Sequence, residues 1–234
     1  MHCIVKRLIP SPTNTHRISR LLVIASATMA LISALLLTAI TFSAVASGSS
    51  AFLWRDEWLL ARDVDEILSN GSVETLIRPH WGHRMIVPRL ILLANAVATG
   101  WQPLPLLLLT CSMLVCIWLL MQTQLDSPRA RAGVILGSAL AWCSLISPYQ
   151  MENLIWPFQF SFLAVYCCSM LAFWFLSKQR AWLAAVMALL ATASMANGLA
   201  VWPILALQSA FLKMGRRVPV FFACSTVIAF WLYL

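Results

Sequence analysis

Apolar positions in this chain come in long unbroken runs. They show neither the alternation of a half-buried strand nor the one-sided stripe of a helix on a soluble core. The first run, residues 21–46, is almost free of charge. It exceeds the roughly 20 helical residues that cross a hydrocarbon core. Further runs cover 104–121, 132–147, 158–177, 182–196, 199–212 and 219–234. The pattern predicts an all-α polytopic membrane protein.

One polar stretch interrupts the pattern, residues 54–89, reading WRDEWLLARDVDEILSNGSVETLIRPHWGHRMIVPR. Within it, residues 56–68 have helical spacing, with Trp58, Leu59, Val64, Ile67 and Leu68 on one side and Arg62, Asp63 and Glu66 on the other. Asn70-Gly71 is a turn signal that ends this helix. Pro88 opens a second run over 89–99, too short to span, which Gly100, Pro103 and Pro105 stop.

Parity orders these pieces. If 89–99 lies along the membrane surface, every basic cluster outside the polar stretch falls on one side, as the positive-inside rule favours for the cytoplasm. These clusters are Lys6, Arg7, Arg17 and Arg20; Arg129 and Arg131; Lys178 and Arg180; and Lys213, Arg216 and Arg217. The count is then about seven transmembrane helices, with interfacial helices in the first outer loop. Residues 1–20 form a cytoplasmic basic tail, and 21–234 form the membrane domain with an outer loop of catalytic type at 47–103. Residues 182–212, divided at Asn197-Gly198, give two halves of about 22 Å each at 1.5 Å per residue, against a core of about 30 Å. That turn is expected to sit beside other protein.

Composition agrees with lipid as the main solvent. The chain is 61% hydrophobic and 10% charged, where soluble domains carry about 25% charged residues. The net charge of +8 is scattered in short clusters and gives no nucleic-acid signal. A signal-peptide reading of the first run meets Ala44-Val45-Ala46-Ser47, which resembles a cleavage site. The run is longer than the usual apolar core of about 7–15 residues, so a retained helix is expected. The cysteines lie in apolar runs or in the N-terminal tail, and none is in the outer loop. They read as small helix- or lipid-facing residues.

Charge composition singles out the loop: it holds six of the eight acidic residues and two of the four histidines. Asp56-Glu57 offers a carboxylate pair at the outer surface, able to take a proton from a hydroxyl or hold a divalent cation. The plainer reading is a solvated helix start. His80 and His83 with Arg84, Arg78 and Arg89 form a cationic cluster suited to a lipid phosphate; an ordinary basic rim at the headgroups has the same composition. Two histidines without a third ligand are weak ground for zinc. Glu152 and Asn153 lie in the second outer loop, and an acidic group there needs a polar cavity or an arginine partner.

The order of these features resembles the C-type (GT-C) superfamily of polytopic membrane glycosyltransferases, such as protein O-mannosyltransferases and aminoarabinose transferases. Trp54-Arg55-Asp56-Glu57-Trp58 occupies the place of their acidic motif after the first span. His80-Trp81-Gly82-His83-Arg84 with Val87-Pro88-Arg89 occupies the place of their later basic element. Ser147-Pro148-Tyr149-Gln150-Met151-Glu152 looks like the segment at the outer end of their third span. The likeness covers about residues 20–180 and is one of pattern and order rather than strict motif.

The resemblance implies transfer of a sugar from a polyprenyl-phosphate donor to an acceptor on the outer face. Asp56 would be the base, with Glu57 as alternative base or partner. His80, His83, Arg84 and Arg89 would hold the lipid phosphate, supported by Arg78, Glu152 and Asn153. No cofactor is certain, and a divalent metal ion is left open, with metal ligands unknown. The partners would be membrane lipid, the lipid-linked sugar and an unknown acceptor. The location would be a bacterial inner (plasma) membrane with the N-terminus cytoplasmic. Relatives commonly run to greater length, so a missing C-terminal part, and an inactive fragment, is a further expectation. The alternatives from other classes are a transporter or lipid flippase and a non-catalytic integral membrane protein. The parity argument has a direct test. Ser72→Cys, with accessible native cysteines removed, is expected to react with an impermeant thiol reagent from outside the cell; labelling from the cytoplasmic side alone would overturn the topology.

Overall fold

The computed structural model describes residues 12–48, 57–80, 82–124, 131–146 and 159–233, and among these it is helical with no strand. The helices are α1 (Pro12–Gly48), α2 (Glu57–Asn70), α3 (Val73–Ile77), α4 (Ile86–Thr99), α5 (Pro103–Gln124), α6 (Arg131–Leu145), α7 (Phe160–Ser177), α8 (Ala181–Ser194), α9 (Val201–Phe211) and α10 (Arg217–Tyr233). A 3₁₀ turn, Ala196–Ala200, joins α8 to α9. In apolar surroundings a helix satisfies its own backbone, which is why uncharged runs take this form.

Among the described residues three helices are long and apolar enough to cross a membrane: Ile24–Thr41 within α1, Pro103–Met121 within α5, and Phe160–Ser177, which is α7. The other expected spans correspond to shorter helices. α6 has 15 residues, α8 has 14, α9 has 11 and α10 has 17. α4, with 14 residues, is about 21 Å long, short of a hydrocarbon core of about 30 Å.

The chain divides into two compact units, Met1–Ala44 with Met121–Gln150, and Val45–Leu120 with Met151–Leu234. In the first, α1 presents Ala34, Thr38 and Thr41 at helical spacing to α6. The Thr41 hydroxyl donates to the Ile146 carbonyl at 2.8 Å, and the Trp142 indole N–H donates to the Thr38 Oγ1 at 2.9 Å. Thr41, Ala34, Ser138, Ala139 and Ile146 are all buried. Small and hydroxylated residues let two apolar helices approach and supply the interhelical hydrogen bonds.

In the second unit, α7 and α8 form an antiparallel hairpin. Ala184, Ala188 and Ala191 are fully buried along one face of α8, against a core that includes Ala172 and Leu176 of α7. The same core takes in Trp202 and Leu205 of α9 and Phe222 of α10. The expected break at Asn197-Gly198 is the 3₁₀ turn, folded back onto α8. A Cβ on Gly198 would collide with the backbone of Ala191 and Thr192. One turn on, the Trp202 indole donates to Thr192 Oγ1 at 3.0 Å, which itself donates to the Ala188 carbonyl at 2.9 Å. The short helices are therefore tied together at the turn, with Gly198 and Leu199 buried against them.

A second core joins the polar stretch to the apolar helices: Leu60 and Val64 of α2, Met85, Leu92 of α4, Leu106 of α5 and Phe160 of α7. α2 ends at Asn70 as the turn signal predicts, with Gly71 at φ +65 and its N–H bonded to the Ile67 carbonyl at 2.9 Å. Its faces differ from the expected ones. Leu60, Asp63 and Val64 point inward, while Trp58 and Leu68 are 60% and 53% exposed. Asp63 belongs to the buried side because a partner waits for it there.

The glycine contact yields an expectation. Gly198→Ala should lower stability by about 1–3 kcal/mol through overpacking, read as a lower midpoint of thermal unfolding in detergent. Gly215→Ala, where nothing lies within 4 Å of the added carbon, should leave the midpoint nearly unchanged; equal effects would refute the close-approach reading.

Candidate functional site

Asp63 and Arg89 are the centre of the polar stretch. Arg89 of α4 is fully buried and Asp63 is 4% exposed. Arg89 Nε and Nη2 donate to the same Asp63 oxygen, Oδ2, at 3.0 and 2.7 Å. Nη1 donates to the carbonyls of Leu76 and Arg78 at 3.2 and 2.6 Å. Those carbonyls close α3, whose last C=O groups have no partner within so short a helix. One guanidinium thus joins α2, the end of α3 and α4.

Arg78 adds the next link. Its Nη1 and Nη2 donate to Glu66 Oε2 and Oε1 at 3.0 and 2.9 Å, a two-pronged pair on the α2 face beside Asp63. Nη2 also donates to Thr75 Oγ1 at 3.3 Å, and Nη1 lies 3.9 Å from Asp63 Oδ1. The hydrogen bond from Arg78 holds the Glu66 carboxyl below the usual glutamate range, and the same bond raises Arg78. Because the folded value is depressed, this pair contributes above the ordinary glutamate pKa of 4.5. Its contribution is lost as pH falls through the lowered value. The pair is exposed to solvent, so its share is small.

The two histidines do not share a helical face. They close a tight turn instead: His80 N–H donates to the His83 carbonyl and His83 N–H to the His80 carbonyl, both at 2.8 Å. Gly82 sits in that turn at φ +78, a backbone conformation that glycine adopts without strain. His80 is 7% exposed. The Nδ1 of His83 is buried with no hydrogen-bond partner among the described residues.

Arg84 follows directly. Its backbone N–H donates to the Tyr233 hydroxyl at 2.8 Å and its Nε to the Tyr233 carbonyl at 3.3 Å. Nη1 reaches the Ile77 carbonyl at 3.4 Å. Nη2 makes no hydrogen bond among the described residues.

The expected phosphate cluster therefore separates. Arg89 corrects the sequence expectation: it is fully buried, with four of its five N–H groups taken by one carboxylate and two carbonyls, so it is closed off from an external ligand. Arg78 is tied to Glu66. Arg84, His80 and His83 stay together at the turn. Glu57 is the first residue of α2, whereas Asp56, Glu152 and Asn153 lie outside the described residues. Among the described residues no three His, Cys, Asp or Glu side chains converge on a metal position.

Sequence reasoning missed three participants. Asp63 was placed on the solvent side, although its position between Leu60 and Val64 puts it on their face at helical spacing. Asn95, 6% exposed, donates through Nδ2 to the Gln102 carbonyl at 3.0 Å and accepts from the Thr99 hydroxyl at 3.0 Å, fastening the α4–α5 turn. Tyr233 gave no local signal at all, since its contact crosses 149 residues.

The chain matches no protein-family model, no curated protein and no solved structure among those compared.

The ion-pair geometry sets a stability order. Asp63→Asn should cost about 3–5 kcal/mol by leaving a buried guanidinium unpaired, seen as a fall in the unfolding midpoint followed by tryptophan fluorescence. The double variant Asp63→Leu with Arg89→Met should recover most of that loss. Glu66→Gln should do little, and a loss as large as that of Asp63→Asn would contradict the assignment of Asp63 as the buried anchor.

Proposed function

We propose that this chain is a membrane glycosyltransferase of the GT-C kind, moving a sugar from a polyprenyl-phosphate donor to an acceptor on the outer face. The supporting observation is the division of labour in the polar stretch. Arg78 and Arg89 are spent on internal partners, which leaves the Nη2 hydrogens of Arg84 free beside the histidine turn. Such donors suit an anionic oxygen, where a departing lipid phosphate gathers negative charge.

In the proposed reaction the acceptor hydroxyl loses its proton to Asp56, with Glu57 as the alternative base. The acceptor oxygen bonds to the anomeric carbon, and the bond from that carbon to the phosphate oxygen breaks. The polyprenyl phosphate leaves with the electron pair, and Arg84 and the histidines receive its charge. The topology belongs to the same proposal: an N-terminus in the cytoplasm, the polar stretch outside, α4 at the interface, about seven passes in all, and a bacterial inner membrane as the location. Charge gathered between α1 and α5, rather than along the interior of the long apolar helices, favours this reading over a transporter or flippase.

Two substitutions test it. Arg84→Ala should weaken binding of a short polyprenyl phosphate by about 10–100-fold, the loss of a charged hydrogen bond, while the exposed Arg62→Ala should not; equal effects would count against the site. Asp56→Asn should reduce transfer by about 10²–10⁴-fold with binding of the phosphate retained. Full transfer in that variant would remove Asp56 from the chemistry.

A further inference from the structure

Helix α10 meets the loop at its C-terminal end. There the Tyr233 hydroxyl oxygen accepts from the Arg84 backbone N–H at 2.8 Å. A phenol has one hydrogen to donate besides the lone pairs it offers. The hydrogen of Tyr233 has no acceptor among the described residues, and with its oxygen fixed on Arg84 it can only swing close to that residue. We propose that Tyr233 is a further ligand of the anion held by Arg84, donating its phenol hydrogen to a phosphate monoester, so that α10 forms part of the binding site. The proposal rests on the reading of Arg84 as the anion-binding residue.

Arg84 is held from two sides in a way that leaves its outer donors free. Nε is taken by the Tyr233 carbonyl and one Nη1 hydrogen by the Ile77 carbonyl. Nη2 and the second Nη1 hydrogen remain. A phosphate monoester carries three terminal oxygens, and the free Arg84 N–H groups and the Tyr233 hydroxyl, from two separate elements, can donate to them together.

The surroundings favour a lipid-linked phosphate over a free one. The residues before Tyr233 expose large apolar surface, with Phe230 at 42%, Trp231 at 77% and Leu232 at 61%. An anion site bordered by such residues fits a ligand with a charged head and an apolar tail.

The test uses the full chain purified in detergent, with farnesyl phosphate and inorganic phosphate as probes. Tyr233→Phe should weaken farnesyl phosphate binding about tenfold or more, the loss of a hydrogen bond to a charged group. Difluorotyrosine at position 233, below the pH at which its phenol ionises, is a stronger donor and a weaker acceptor. It should bind farnesyl phosphate more tightly than the native chain; equal or weaker binding would mean that Tyr233 only props up Arg84 and would overturn the ligand role. If Arg84→Ala weakens binding and Tyr233→Phe does not, this inference fails while the Arg84 site stands. If neither weakens it, both fail. Inorganic phosphate competing as well as farnesyl phosphate would overturn the lipid-linked assignment.

Discussion

A carboxylate and a guanidinium taken out of water each lose several kcal/mol of hydration, and their mutual attraction offsets this only when the remaining donors are also satisfied. The Asp63–Arg89 pair comes within one N–H group of that condition, with four of the five on Arg89 engaged. The arginine reaches two carbonyls besides the carboxylate, and both side chains are closed off from solvent. Everything else in the polar stretch depends on this arrangement. It holds the end of α3 against α2 and fixes the start of α4, and so sets where the chain between them must turn. Leu60, Val64, Met85 and Leu92 pack in one core, so apolar burial and the ion pair both act on α2 and α4.

Much of this was legible in the sequence, for reasons that follow from range. Long apolar runs announce helices because lipid allows few alternatives, and the positions of α1, α5 and α7 follow from length alone. Asn70-Gly71 marked the end of α2, and Asn197-Gly198 marked the turn between α8 and α9, because glycine at a turn is a local property. The inner face of α2 was not legible. An aspartate reads as solvent-facing until its partner is known, and Arg89 is 26 residues away. The role of Arg89 was misjudged for the same reason. A basic residue in a basic cluster reads as a ligand for anions, and only coordinates reveal that it is buried with four of its five N–H groups already taken. The histidines were read at helical spacing, whereas Gly82 allows a tight reversal that changes which atoms they present. Asp56 and Glu152, the acidic groups on which the expected chemistry most depends, lie outside the described residues, so their placement stays with the sequence argument.

The loop thus has two kinds of cationic residue with the same chemistry and opposite uses. Arg78 and Arg89 neutralise carboxylates and cap carbonyls, which stiffens the frame. Arg84 caps backbone groups with part of its guanidinium and keeps the rest unengaged. A rigid frame beneath a partly unengaged cation is what preorganised charge recognition needs, since little reorganisation then opposes binding.

The bond between Arg84 and Tyr233 also bears on the order in which the protein is made. Asp63 and Arg89 can meet once α4 leaves the ribosome, because everything they join is within one short stretch. Arg84 cannot take its final position until α5 to α10 have been synthesised and packed, 149 residues later. Assembly of the polar stretch is therefore staged: an early local frame, then a late closure contributed by α10. A chain interrupted before α10 would carry a folded frame in which the turn at Arg84 had not yet been completed.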